Sequence, residues 1–343
     1  MTWWAGRSRG KRRPDMPIFA SLLFIVIAIL FPLFAASAGW HGLLGIVIPC
    51  AAWAVFVFGF VWRVVVWARS PVPFRIPVTS GQQRSLSWIK ADAAENPSGR
   101  WGVALRMFLE VALFRSLFRN TRTDLYKGRP VYGRTKNLWL FGWLFHASFL
   151  VILVRHLRLF SEPVVPMADT LAAVDGMFEI GVPTLYLSDL CLLAAAAFLL
   201  LRRIVIPRVR YISLAQDYIP LLLVLCIAGS GLLMRHFDKI DLVAVKELAS
   251  GWICFVPTLP EGLTAVFFVH LFCVSALLVW FPLGKLMHMG GVFLSPTRNL
   301  ANDSRRRRHV NPWNAPVKVH TYEEYEEEFR NQMKAVGLPV DKE

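Results

Sequence analysis

The chain has 343 residues, of which 55% are hydrophobic and 18% charged, and its mean hydropathy of +0.47 is too high for a soluble or a disordered chain. A net charge of +15 does not call for nucleic acid, because basic residues collect in membrane-protein loops that stay in the cytoplasm. Five isolated cysteines, Cys50, Cys191, Cys226, Cys254 and Cys273, without CxxC or CxxxC spacing, exclude a zinc ribbon, a c-type haem attachment and an iron–sulfur cluster held by this chain's own thiolates.

Six apolar blocks near bilayer length predict an all-α integral membrane protein with six transmembrane helices. A basic amino terminus, residues 1–17, carries Arg7, Arg9, Lys11, Arg12 and Arg13. It leads into two charge-free stretches, Ile18 to Ala38 and Leu43 to Trp62, joined by Gly39-Trp40-His41-Gly42; residues 18–62 therefore read as a helical hairpin. The first apolar run is about 20 residues, longer than the roughly 7–15 of a signal peptide, so it is expected to be a retained anchor. Residues 63–136 form a long connection in which Trp101 to Arg119 mixes apolar residues with Arg106, Glu110, Arg115 and Arg119, the composition of an interfacial helix; an ordinary helix packed on a partner is the alternative. Residues 137–290 hold four further spans, Asn137 to Leu157, Pro183 to Leu201, Tyr218 to Met234 and Gly262 to His288. The tail, 291–343, combines the basic block Arg305 to His309 with the acidic run Glu323 to Glu328. Of the 38 Lys and Arg, 33 fall in the terminal segments and the second and fourth connections and 5 in the remaining loops, which puts both termini in the cytoplasm.

Four of the eight histidines lie within or at the ends of two spans: His146 and His156 on the third, His270 and His288 on the sixth. An ionisable side chain in the membrane is costly unless paired or bound. In an antiparallel pair of spans, His146 meets the level of His288 and His156 that of His270. Two imidazoles per level is what bis-histidine haem ligation requires. Spacing supports this in part: ten residues rise about 15 Å and eighteen about 27 Å, and eighteen is about five turns whereas ten leaves the two side chains about 80 degrees apart. Pro282 makes the second wheel approximate. Gly142, Ala147, Ser148, Ser275, Ala276 and Gly284 would give a flat macrocycle room, although small residues are common at any membrane helix contact. The remaining histidines, His41, His236, His309 and His320, read as solvated or hydrogen-bonded, with His236 retaining a second reading as a proton acceptor.

A His-x9-His helix followed, after two spans, by a His-x17-His helix resembles the dihaem cytochrome b (NarI-like) subunit of respiratory nitrate reductases, over the last five spans. The tail from Ser295 to Asn314, with Ser-Pro-Thr-Arg-Asn-Leu-Ala-Asn-Asp-Ser before four arginines, is similar to that of the DsrM family, NarI-like subunits of the DsrMKJOP complex of sulfur-metabolising prokaryotes. The first span lies outside that five-helix core. The resemblance implies a cytoplasmic-membrane protein with two haem b: His156 and His270 on the outer iron, His146 and His288 on the inner. It further implies a menaquinone site beside the outer haem, and a cytoplasmic, heterodisulfide-reductase-like iron–sulfur partner (DsrK-like), which in the family is thought to act on a DsrC trisulfide. An NrfD-like membrane subunit, a periplasmic multihaem cytochrome c and a periplasmic ferredoxin-like subunit are the further partners it implies.

Quinol gives up two protons with its two electrons, so a base is needed near a water-accessible edge. Glu179, Asp189 and His236 are the candidates, and Arg155, Arg158 and Arg235 are candidates for haem propionates through charge-assisted hydrogen bonds. Ser188 and Asp189 are alternatively plain helix-capping residues. The competing function is a non-redox membrane anchor that docks soluble subunits. A transporter is disfavoured by the lack of paired Gly/Pro-broken helices in two related halves.

Overall fold

The computed structural model describes residues 16–70, 92–176, 183–302 and 319–342. Glu179, the amino-terminal basic cluster, the Arg305 to His309 block and Trp313 lie outside the described residues. Helices α1 (Met16–Ser37) and α2 (Ile48–Ala68) form the predicted hairpin, turning at Gly39, whose φ of +77° suits a residue without a side chain. A π-helical turn, Leu43–Val47, opens the second arm. The long connection then supplies α3 (Arg100–Leu113) and α4 (Arg115–Arg119), followed by a hairpin of β1 (Thr121–Tyr126) and β2 (Arg129–Arg134), antiparallel with Tyr126 opposite Arg129. Positive φ at Lys127 and Gly128 is what a two-residue hairpin turn demands.

Next come α5 (Lys136–His156), α6 (Pro166–Asp175), α7 (Leu187–Val205), α8 (Pro207–Ile212), α9 (Ala215–His236) and α10 (Leu242–Ile253). The last part of the bundle is α11 (Ala265–Trp280), then α12 (His288–Leu294) and α13 (Pro296–Asn299), with α14 (Tyr322–Ala335) in the tail. Four helical stretches, Met16–Ser37, Leu43–Ala68, Lys136–Leu159 and Ala215–His236, are long and apolar enough to cross a membrane, and a fifth is reached if the pair Ala265–Trp280 and Lys285–Asn299 counts as one bent span. Helix α7 runs 19 residues but carries Asp189, Arg202 and Arg203 near its ends, so charge at the termini sets it apart from the other four.

Two expectations are corrected. The sixth span is not one helix from Gly262 to His288: it stops at Trp280, and the pieces on either side of the break are bent by 71°. Pro282 has no N–H to continue the ladder and its ring blocks the preceding turn. His288 therefore starts a new helix, and the five-turn relation to His270 does not apply. Likewise Trp101 to Arg119 is two helices, because Phe114 takes a left-handed conformation with φ of +51°. One face of α3 stays open and apolar, with Trp101 89%, Leu105 54% and Phe108 62% exposed, at the i, i+4, i+7 spacing of an interfacial stripe.

Helix α11 is the hub, packing on α1, α2 and α9, while α5 packs on α7 and α7 on α9. One apolar cluster joins Ile25 and Ala28 of α1 to Leu223 of α9 and Cys273 of α11. A second joins Leu44 to Leu248, Phe268 and Leu271. Outward faces carry exposed Phe19, Phe34, Trp53 and Phe58, as expected where lipid is the solvent.

Arg63, Lys136, Arg202 and Lys285 mark the basic end of the bundle. There the segment before α3 is fastened to the segment after α12. Arg106, only 5% exposed, donates to the carbonyls of Glu95 (2.9 Å), Arg298 (3.0 Å) and Leu300 (2.9 Å). Arg298 pairs with Glu110 at 2.5 Å, and Asn302 N–H donates to Pro97 O at 2.7 Å. The backbone N–H groups of Glu95 and then Ala94 hold the Asp92 carboxyl below the usual carboxylate range, aided by Arg115 and Arg119.

Candidate functional site

The two histidine-bearing spans, α5 and α11, are not packed backbone to backbone among the described residues; α7 and α9 bridge them. Their histidines nevertheless meet. At the basic end the rings of His146 and His288 lie 5.9 Å apart between centroids, at 83°. The break at Pro282 is what brings His288 there. Toward the other end, His156 and His270 lie within electrostatic reach of one another.

All four rings are tied through the same nitrogen. His146 Nδ1 bonds Gly142 O at 2.7 Å, His156 Nδ1 bonds Ile152 O at 2.7 Å, and His288 Nδ1 bonds Lys285 O at 2.8 Å. His270 Nδ1 meets Ser230 Oγ at 3.0 Å. A carbonyl accepts only from a protonated Nδ1, so at least three of the four present Nε2 with a free lone pair. Orienting a ligand histidine through its second nitrogen is the usual arrangement at a metal. Two pairs of imidazoles, each with Nε2 available, fit the donor set that two six-coordinate haem irons need. Gly231 faces His270, where a Cβ would stand 3.6 Å from the ring. The hydroxyls of two small residues on these spans are satisfied within their own helices, Ser148 Oγ donating to Leu144 O at 2.6 Å and Ser275 Oγ to Leu271 O at 2.8 Å.

The left-handed Phe114 sets its ring edge-on to His146, with centroids 4.9 Å apart. A strained backbone thus places an aromatic wall on this histidine.

Away from the basic end, a polar cluster joins α5, α6, α7 and α9. Arg155, at the end of α5, pairs closely with Asp175 of α6 and lies 3.5 Å from Asp189. Its Nη1 donates to Ser188 Oγ at 2.9 Å. Asp175 in turn accepts from Ser188 N–H at 2.8 Å and Ser188 Oγ at 2.5 Å. The capping of α7 is therefore done by Asp175 from the neighbouring helix, not by Ser188 and Asp189 as their position suggested. Asp189 shares Arg155 with Asp175, at 3.5 Å, and has Arg235 within electrostatic reach. Tyr186 is sandwiched, with the Arg155 guanidinium 3.5 Å and that of Arg235 4.3 Å from its ring centroid. Arg235 also donates to Thr184 O at 2.8 Å. Arg158 is exposed and within electrostatic reach of His156. His236 keeps a buried Nε2 that has no hydrogen-bond partner among the described residues.

Sequence reasoning missed Asp175, Tyr186, Ser230 and Phe114. Ser230 had a signal in the Gly229-Ser230-Gly231 run, a lone hydroxyl between glycines in an apolar span. Asp175 had one too, as a carboxylate in a loop whose only cations are Arg155 and Arg158. Nothing in the sequence marks Phe114.

Two proteins described as Hdr-like menaquinol oxidoreductase cytochrome b-like subunits resemble the chain along most of its length. The one from Archaeoglobus fulgidus is 45% identical over 276 residues, 78% of this chain and 82% of that protein. The one from Archaeoglobus profundus is 43% identical over 273 residues, 78% and 81%. The family model of the nitrate reductase gamma subunit matches residues 107–304, which takes in all four histidines and the Arg155–Asp175–Tyr186 cluster and leaves α1 and α2 outside the match. Paired histidines on two spans and a match across the whole segment that carries them lead to one conclusion: the chain belongs to the nitrate reductase gamma subunit family.

Proposed function

We propose that this protein is a six-span dihaem cytochrome b, with both termini in the cytoplasm, that exchanges electrons between menaquinol at the outer face and a cytoplasmic, heterodisulfide-reductase-like iron–sulfur subunit. The observation that carries this is the set of four intramembrane histidines, paired by level and each anchored through Nδ1. His146 and His288 hold the haem nearer the cytoplasm, His156 and His270 the outer one. Haem b, when bound, supplies one-electron transfer, and the chain's residues position it and set its surroundings.

Quinol oxidation releases two electrons and two protons. The outer cluster has groups for both quinol oxygens: Asp189 and the free Nε2 of His236 accept protons, and Glu179 is a third candidate on the same loop side. Arg155 and Arg235, stacked on Tyr186, balance the charge of Asp175 and Asp189 and orient oxygen acceptors by charge-assisted hydrogen bonds. Together with Arg158 they are also placed to take propionates of the outer haem.

The menaquinol oxidoreductase and Hdr-like wording of the Archaeoglobus relatives supports the quinone and the partner. The tail similarity supports a DsrM-like place in sulfur metabolism, with a DsrK-like subunit on the cytoplasmic side and NrfD-like, multihaem cytochrome c and ferredoxin-like subunits completing the complex. Purified full-length protein should give reduced b-type bands and two haems per chain in a pyridine haemochrome assay, and a menaquinol analogue should reduce them. A haem-free chain that still holds its partner would instead be a docking anchor.

A further inference from the structure

On α2, residues 59, 63 and 67 fall four apart and form one stripe. A Cβ on Gly59 would stand 2.7 Å from the Pro282 ring, and one on Gly291 3.5 Å from Trp67. The stripe therefore lies directly along the break after α11, and Arg63 is fixed between these two contacts. An open recess of about 300 Å³ occurs there, lined by Arg63, Trp67, Gln216, Lys285, His288 and Gly291 among others. Among the described residues no carboxylate lines it.

Its two cations differ. Lys285 Nζ donates to Asp217 at 2.7 Å, and Asp217 is 7% exposed and also 3.7 Å from Arg203; that lysine is partnered. Arg63 is not: its Nε is buried without a hydrogen-bond partner among the described residues, and its guanidinium rests over the Trp67 ring at 5.6 Å. A buried, unpaired guanidinium donor is costly and calls for an acceptor. Its planar fork suits an oxyanion that takes two N–H groups at once.

We propose that Arg63 anchors an oxyanion site beside His288, built from α2, whose occupant is the carboxylate of the haem group held there. This rests on the dihaem reading of the four histidines. The recess is at the small end of ligand-sized cavities, and His288 and Arg63 share it. The phosphate of an anionic phospholipid offers the same chemistry from a second source.

The test is redox titration of the full-length protein with its native partners, comparing wild type, Arg63→Gln and Arg63→Lys, with bound phospholipid measured as phosphorus per chain. The haem in question is identified as the one missing from His288→Ala. If its carboxylate is the occupant, Arg63→Gln shifts the oxidised-to-reduced ratio of that haem about tenfold toward the oxidised form, about 59 mV for one electron. The other haem keeps its midpoint, and Arg63→Lys recovers most of the loss. If the occupant is lipid, both midpoints stay and Arg63→Gln carries less phosphorus per chain. Unchanged midpoints with unchanged phosphorus overturn the site, and so does an equal shift of both haems. A wild-type chain without haem would sink the cytochrome reading instead, while the phosphorus measurement would still decide the role of Arg63.

Discussion

Each of the four histidines uses Nδ1 internally, so removing one takes away a nitrogen that no neighbour can replace. His146→Ala and His288→Ala should each lower haem content from two per chain to one and remove the same spectral component. His156→Ala and His270→Ala should remove the other. Two haems remaining in any of the four would break the pairing. In the opposite cluster the two aspartates should behave differently. Asp175, with a side chain 8% exposed, both pairs most closely with Arg155 and caps α7, so Asp175→Asn leaves the buried cation only the more distant Asp189 and should cost about 3 kcal/mol of stability, read as a lowered Tm in detergent. Asp189 stands farther from Arg155, at 3.5 Å, has Arg235 within electrostatic reach, and caps nothing. Asp189→Asn should leave Tm nearly unchanged and slow menaquinol-dependent haem reduction by about 100-fold or more, the range of a lost proton acceptor. The histidines were legible in the sequence because an ionisable residue inside an apolar block stands out. The division of labour between Asp175 and Asp189 was not, since it depends on which carboxylate the fold turns toward Arg155.

Elements that the sequence announced are those with uninterrupted apolar runs, such as α1, α5 and α9. Elements it hid are those ended by a single residue's backbone. Pro282 was visible as a break, but the 71° bend that carries His288 to His146 depends on the packing of α2 against it. Phe114 is a harder case: a non-glycine residue in the left-handed region costs roughly 1–2 kcal/mol, and no local signal requires it. Phe114→Gly relieves that strain and deletes the ring beside His146. Tm should hold or rise by a few degrees, while the reduced band or the EPR signal of the His146-linked haem should broaden; an unaltered signal would make Phe114 a structural kink only. In the tail, α14 begins with a Thr321–Glu324 capping box. Its Glu326 accepts the N–H groups of Asp341 and Lys342 and pairs with Arg330. The Asp341 N–H above all holds that carboxyl below the ordinary range. A lowered folded-state value stabilises the fold of 322–342 fully above the unfolded carboxyl pKa of about 4.3 and loses that contribution as pH falls through the lowered value. The protection of the α14 amides relative to their intrinsic exchange rates should therefore be flat from neutral pH down to about that point and then fall, and Glu326→Gln should remove the dependence.

At the scale of the whole molecule, the basic end joins three parts: the inner histidine pair, the recess at Arg63, and the clasp in which Arg106 holds residues 298 and 300 against the 92–119 segment. The clasp fixes the chain up to Asn302, so the bundle can stay folded without residues 305–343. Past Asn302 the basic block Arg305 to His309 and Trp313 lead to α14, whose capping and Glu326 contacts lie within residues 321–342. Four arginines beside an anionic leaflet would add about 1 kcal/mol each, which would account for orientation but not for the tryptophan or a separately closed acidic helix. Trp and Arg are residue types that dominate interface hot spots, and an extension with both signs of charge offers a partner complementary contacts. Deleting residues 305–343 should leave both haems spectroscopically intact and Tm within a few degrees, but abolish co-purification of the cytoplasmic iron–sulfur subunit and electron transfer to it. Because rim charges act chiefly through encounter and salt dependence, replacing Arg305 to Arg308 by glutamine should weaken that association at low salt more than at high salt, whereas Trp313→Ala should weaken it at both. Retention of the partner by the truncated chain at high salt would move the docking surface to the 63–136 connection, where the exposed rings of Tyr126 and Tyr132 on the β-hairpin stand at the same end of the bundle.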